Sequence, residues 1–513
     1  MSHRVNASRG SLLLQILVSL VGLAALGGCG GGSSVDGKAM ASPASAVATP
    51  SDALLVAATG SALATDAPPA SPNLSLAPND SGLAATYSLA GVVDRSGPFF
   101  QSLGTNGRSC STCHVQGEGW TITPRGVRAR FALTRGTDPI FRTNDGSNSP
   151  GADVSTVDAR RRAYSMLLDR AVIRVGIGIP ATAEFELAAV DDPYGFASSN
   201  ELSLFRRPLP TTNLKFLSTV MWDGRETFRD AASTDCVAGT SNCFASIHFD
   251  LADQSNGATV GHAQAATPLT DAQRESIVAF ETALFTAQVY DWRAGALETR
   301  GARGGPVALA QEEFYFGMND TLVGDYESKA PFTPTVMTLF DAWSNPGNAG
   351  GRDIVAARRA VARGQALFNS KPIAIRGVKG INDDLGIETL QGTCTTCHNT
   401  PNAGDHSIPM PLDIGIADAA RRTPDMPLYT LRNKATGATV QTTDPGRALV
   451  TGKWKDIARF KGPILRAVAT RAPYFHNGMA QDLNAVVDFY DTRFGIGFTP
   501  QEKDDLVAFL RSL

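Results

Sequence analysis

The sequence lacks an excess of charge of either sign. Its 513 residues carry 46 Lys+Arg against 49 Asp+Glu, a formal net charge of -3 at pH 7. It has neither the basic footprint that nucleic acid requires nor a polyacidic tail, so nucleic-acid partners are set aside. It also lacks long apolar runs: beyond residue 26 no segment is long and apolar enough to span a bilayer. With 43% hydrophobic residues the chain can still bury substantial cores, and its length suits two or three domains rather than one small stapled scaffold.

At the N-terminus, Arg4 and Arg9 accompany a short apolar stretch, 11–26, with the character of an export signal. It ends Leu26-Gly27-Gly28-Cys29, which resembles the lipobox of bacterial lipoproteins. The expectation is a signal peptide over 1–28 and a lipid on Cys29, holding the protein to the periplasmic side of a bacterial membrane. An ordinary signal followed by a chance cysteine is the alternative. Residues 29–82 are dominated by Ala, Ser, Pro and Gly and read as a disordered tether, because so few large apolar residues cannot offset the entropy of ordering.

Cysteine is scarce, seven in the whole chain, yet four of the seven fall in two identical constellations. Cys110-Ser111-Thr112-Cys113-His114 and Cys394-Thr395-Thr396-Cys397-His398 are both C-x-x-C-H. At this chain's own Cys and His frequencies chance supplies roughly 0.001 copies, so neither is accidental. The spacing suits covalent haem: each thiol adds across one vinyl group, and the adjoining imidazole reaches the iron. Zinc and a redox-active dithiol are the rival readings of C-x-x-C. The His directly after the second Cys in both copies favours haem, as does export. Cys236 and Cys243 remain, seven residues apart, and read as a short-loop structural disulfide.

The two motifs sit in what reads as an internal repeat. Thr270-Asp271-Ala272-Gln273 opens a segment to Leu284, and Thr499-Pro500-Gln501-Glu502 opens one to Leu513; the two match without gaps, and each start is a capping box. Upstream, Trp222-Asp223-Gly224 matches His476-Asn477-Gly478. Arg352 to Phe368 reads as an amphipathic helix before the second motif, with Ile354, Val355, Val361 and Leu367 near one face. The fold class expected is mainly α: two cytochrome c-type haem domains related by duplication, 83–345 and 350–513, with loop-rich insertions in the first.

These motifs, with Met221-Trp222-Asp223-Gly224-Arg225 and Ala472-Pro473-Tyr474-Phe475-His476-Asn477-Gly478, make residues 90 to 513 resemble the bacterial di-haem cytochrome c peroxidase superfamily, which includes a MauG-like branch. The resemblance implies an oxidoreductase with two haems c. His114 would be the proximal ligand of a reactive haem and His398 that of an electron-transfer haem, with Trp222 as a relay between them; packed core is the plainer role for a Trp. Where peroxidases of the family place a Met as sixth ligand of the second haem, this chain has Tyr490, as the MauG type does, although Met410, Met426 and Met479 are alternatives. A tyrosinate favours ferric iron.

Two absences bear on the first haem. No His lies between His114 and Trp222, where members that need reductive activation keep a displaceable ligand, so the first haem is expected to be open to hydrogen peroxide or dioxygen. No Glu lies between Glu226 and Glu275, where the family keeps one for proton transfer; Gln254, His262 and Gln264 are the polar residues available. The resemblance also suggests a small periplasmic electron donor or acceptor protein. A structural calcium bound through carbonyls near Arg471 and Pro473 is common in the family, but its side-chain ligand is replaced here near Arg206 and Arg207. A six-coordinate electron carrier, its first iron closed by His248 or His262, and a di-haem oxygenase are the competing functions.

Overall fold

The computed structural model describes residues 70–227, 247–347 and 351–513, together with the backbone of 235–236 and 243–244. The signal, Cys29 and most of the tether therefore lie outside the described residues. So do the side chains of Cys236 and Cys243, whose short backbone strands pair antiparallel with Cys236 opposite Cys243.

The tether ends sooner than its composition suggests. Ala70–Pro72 pairs with Val92–Asp94, and Ser75–Asn79 pairs with Gly82–Ser88. The polar residues that read as linker hold the turns: Asn79 Oδ1 accepts from the Ser81 and Gly82 amides at 2.9 and 3.0 Å. Asn73 exchanges hydrogen bonds with both backbone groups of Ser88, at 3.0 and 2.7 Å. Asn side chains substitute for backbone partners in this way wherever the chain reverses.

The structure is 32% helix and 18% strand, so "mainly α" understates the sheets. The largest sheet has four strands, in the order Gly295–Ala296, Leu284–Asp291, Gly82–Ser88, Ser75–Asn79. The first capped segment accordingly stops as helix at Thr282 and continues as strand from Leu284. The run Leu284-Phe285-Thr286-Ala287-Gln288-Val289-Tyr290 is rich in aromatic and β-branched residues and has a partner strand waiting. No strand follows the second capped helix, Pro500–Leu510, among the described residues.

The boundary expected between 345 and 350 does not divide the packing. Phe185–Asp191 of the first half pairs with Leu428–Asn433 of the second, which also pairs with Thr439–Thr442. The second half keeps its own core, where Arg352–Ser370 crosses Pro500–Leu510 over Val361, Phe368, Leu506, Phe509 and Leu510. Of the four apolar positions expected on its buried face, Val355 and Val361 are buried, while Ile354 and Leu367 are only half-buried. Gly364 permits the crossing: a Cβ there would lie 1.9 Å from the Asp505 carbonyl oxygen and 2.7 Å from Phe509 Cβ.

Candidate haem centres

Each C-x-x-C-H segment folds as a 3₁₀ turn, Cys110–Thr112 and Cys394–Thr396. The hydroxyl residues between and before the cysteines brace both turns alike. Ser109 N donates to Thr112 Oγ1 at 3.0 Å and Thr393 N to Thr396 Oγ1 at 3.0 Å. The His114 and His398 amides close back on the carbonyls of Cys110 and Cys394 at 3.0 and 3.2 Å. None of these four thiols is in a disulfide.

Both imidazoles are oriented by a carbonyl six residues on: His114 Nδ1 lies 3.1 Å from Trp120 O, and His398 Nδ1 lies 2.7 Å from Gly404 O. A carbonyl only accepts, so Nδ1 carries the proton and Nε2 keeps its lone pair for a metal. Burial lowers both histidines, His114 to about 4, which keeps them neutral. Trp120 and Gly404 both occupy the left-handed region, at φ 60° and 79°. Trp120 is in turn held by its indole, which donates to Thr86 Oγ1 in the large sheet at 2.9 Å.

A second shared feature escaped the sequence reading. Phe280 of the first capped helix packs on Phe99, which packs on His114, with centroids 4.9 and 6.3 Å apart. The matched Phe509 packs on Phe368, which packs on His398, at 5.6 and 6.0 Å. The Ala-Phe pair repeated in both helices was the available signal.

Beside His114 opens a cavity of about 520 Å³ whose walls include Cys110, Cys113, Trp222, Gln254 and His262. The residues fit a covalent haem: two thiols and a lone-pair imidazole face one space of suitable size. Zinc fits less well. Among the described residues no three His, Cys, Asp or Glu side chains group as a metal site, whereas a structural zinc takes four ligands.

His262 is held on this wall by a carboxylate. Its Nδ1 lies 2.6 Å from Asp145 Oδ2, and Asp145 is ion-paired through its other oxygen with the buried Arg108. Burial would raise the Asp145 carboxyl, but the His262 hydrogen bond and the Arg108 charge hold it below the usual carboxylate range. Asp145 was not legible in the sequence, 117 residues from its partner. Gln264 is not on the wall; it is exposed and accepts from Asn106 at 3.3 Å. His248 is also away from the cavity, paired with Glu275 at 3.0 Å on the surface.

Trp222 and His476 occupy twin turns that face each other. Met221 and Gly224 have φ 64° and 65°, Phe475 and Gly478 66° and 68°, and the Trp222 and His476 rings lie 6.2 Å apart. Trp222 Nε1 donates to Arg207 O at 2.7 Å, Arg207 N donates to His476 O at 2.6 Å, and His476 stacks on Phe460 at 4.1 Å. Asp223 is buried between Arg206 and Arg225, at 2.6 and 2.7 Å. Burial opposes its ionisation, yet the two guanidinium groups hold the carboxyl well below its usual range.

Calcium does not fit. Arg207 donates to the carbonyls of Ile122, Arg170 and Arg471 at 2.8, 2.8 and 3.1 Å, so a cation brought to the Arg471 carbonyl would meet an arginine already in place.

At the second motif, Tyr490 is half-buried, stacked near Phe494 at 6.2 Å and 14°. Burial raises its phenol, and the nearby Cys397 and Cys394 sulfurs add to the rise. Met410 packs against the same apolar cluster as Cys394 and Cys397. Met426 does not: it is buried with Met166, Val172 and Phe205. Met479 is half-buried in the turn after His476.

No protein-family model matches the chain. Over 221 residues it is 30% identical to the cytochrome-c peroxidase IdrP1 of Pseudomonas sp. (strain SCT), covering 38% of this chain and 49% of that protein. Over 76 residues it is 45% identical to the cytochrome c peroxidase Ccp of Escherichia coli (strain K12), covering 14% and 16%. Over 249 residues it is 26% identical to the methylamine utilization protein MauG of Methylorubrum extorquens, covering 44% and 61%. The chain thus matches less than two thirds of each relative's length.

Proposed function

We propose that this relative of the bacterial cytochrome c peroxidases and MauG is a di-haem c oxidoreductase that reacts with hydrogen peroxide in the cavity beside His114. Cys110 and Cys113 would attach one haem and Cys394 and Cys397 the other, with His114 and His398 as iron ligands through Nε2. The haem irons supply the redox and O–O bond chemistry when bound. The observation that carries the reading is the cavity of about 520 Å³ in which the Asp145-backed His262, Gln254 and His114 share one space.

The chain's own residues supply the rest. Asp145 fixes the proton of His262 on Nδ1 and leaves Nε2 free to take a proton from an entering peroxide and return it to the departing oxygen. Gln254 adds a polar group on the same wall. Trp222 and His476, contributed by opposite halves, support electron exchange between the two centres. The paired 3₁₀ turns, carbonyl-held histidines and twin left-handed turns support descent of the halves from one duplicated unit. An electron-donor or acceptor protein on the periplasmic side, and a lipid on Cys29, complete the proposal. Among the described residues no helix is long and apolar enough to cross a membrane.

Low-temperature EPR with an optical spectrum of the ferric holoprotein tests the reading. One high-spin and one low-spin haem are expected, with the low-spin signal changed in Tyr490→Phe. Two low-spin haems unaffected by peroxide would replace an enzyme with an electron carrier, and a rate of dioxygen uptake exceeding peroxide consumption would replace it with an oxygenase.

A further inference from the structure

The gapless match of the two capped helices sets Glu281 opposite Leu510. Around this position the halves agree: Phe280 and Phe509 each lead through a second phenylalanine to the iron-ligating histidine. Leu510 lies in the apolar core against which Cys394 packs, as a residue beside a haem edge ordinarily should. Glu281 is just as deeply buried, 3% exposed, yet it lies on the wall of the His114 cavity near Cys110. Its Oε2 has no hydrogen-bond partner among the described residues. An unpartnered buried carboxyl is costly and does nothing for packing that a leucine would not do better.

We propose that Glu281 couples a proton to the electron taken up at the His114 centre, a role the His398 centre lacks. The inference rests on a haem being attached at Cys110 and Cys113, but not on peroxide being its substrate. When an external one-electron donor reduces the ferric iron, the added negative charge favours the protonated carboxyl: one electron enters the iron, and one proton from solvent enters the glutamate. Oxidation reverses both. Burial already pushes Glu281 up to about 8, so its carboxyl changes charge on the mildly alkaline side of neutrality.

The neighbouring groups leave this role to it. Cys110 and Cys113 become thioethers, and the proton of His114 is committed to Trp120. On the cavity wall Arg108, Asp145 and His262 are tied to one another, and Arg206 and Arg225 to Asp223. Arg174 pairs with Glu201, Arg207 spends its guanidinium on carbonyls, and Lys461 faces the buried Asp405.

Spectroelectrochemical titration of the two-haem protein between pH 5 and about 9 tests the proposal, with haem content measured on the same sample. The potential of the first haem should fall with rising pH across part of that range. The limit is a tenfold change in equilibrium constant per pH unit, about 59 mV for one electron. Glu281→Gln should flatten the slope, Glu281→Leu should make the first haem behave like the second, and the second haem should not respond in either variant. A redox-difference infrared spectrum should show a protonated carboxyl appearing on reduction, lost in Glu281→Gln. A full haem complement with an unchanged slope in both variants would overturn the inference. A missing first haem would overturn it together with the reading on which it rests.

Discussion

The two C-x-x-C-H segments differ less in how they hold a histidine than in what they place around it. Both use a hydroxyl-braced 3₁₀ turn, a carbonyl six residues on in a left-handed turn, and a phenylalanine pair leading back to a capped helix. Beyond that shell they diverge. The first segment faces an open cavity with Glu281, His262 and Gln254 on its walls, whereas the second is packed against Ile373, Ile375, Val378 and Ile381 with Tyr490 nearby. The motif turn and the imidazole orientation are therefore a common frame, and the two segments differ in the residues that fill or leave open the space beside it.

The largest expected effect comes from removing what only the first segment has. Asp145→Asn leaves His262 without its carboxylate acceptor and Arg108 without its counter-charge, and His262→Gln removes the proton carrier. Each should lower peroxide consumption about a hundredfold or more, the ordinary range for loss of a positioned acid–base group. The spin state of the His398 haem should not change. Equal disturbance of both haems by His262→Gln, read by EPR, would mean that the first cavity is not a separate chemical compartment.

How much of this was legible depended on sequence distance. The two C-x-x-C-H motifs, the capping boxes and the helix Arg352–Ser370 are local patterns with strong physical grammar, and the structure has the two capped helices and the 352–370 helix where the sequence put them. Trp222, Gln254 and His262 were found through motif and resemblance, and the cavity gathers all three. Asp145 and Arg108 could not be found that way, because only the folded chain brings them to His262. Glu281 was hidden by its setting: within Val278-Ala279-Phe280-Glu281-Thr282 it looks like one polar helix position among several, and only burial marks it. The strands Ser75–Asn79 and Leu284–Asp291 were missed because one has a linker's composition and the other continues a helix pattern, until pairing decides both.

A smaller effect is expected from making one twin turn resemble the other. Asp223 and Asn477 occupy matching positions, but Asp223 is ionised between Arg206 and Arg225 while Asn477 carries no charge. Asp223→Asn should cost roughly 1–3 kcal/mol at neutral pH, since Arg206 keeps its pair with Asp444 and the partly exposed Arg225 can turn to water. The pH dependence follows from the depressed carboxyl: the stability it contributes is present above the usual carboxylate value of 3.8 and is lost as pH falls through the lower folded value. Thermal unfolding curves of parent and variant should therefore converge in strong acid and separate above it. A constant separation at every pH would assign the loss to packing rather than charge.

The smallest effect is also the cleanest comparison, because the two capping boxes are nearly superimposable. Gln273 N donates to Thr270 Oγ1 at 3.3 Å and Thr270 N to Gln273 Oε1 at 2.9 Å; Glu502 N donates to Thr499 Oγ1 at 3.2 Å and Thr499 N to Glu502 Oε2 at 2.8 Å. Thr270→Ala and Thr499→Ala should each cost about 1 kcal/mol in denaturant unfolding. Because the sheet joining Phe185–Asp191 to Leu428–Asn433 ties the halves together, both variants should shift one shared transition by similar amounts. If each variant instead moved its own transition, one followed at each haem's absorbance, the halves would unfold independently despite the shared sheet. The second box also holds Lys371 against Glu502 at 2.7 Å, so any excess cost should fall on Thr499→Ala and disappear in a Lys371→Met background.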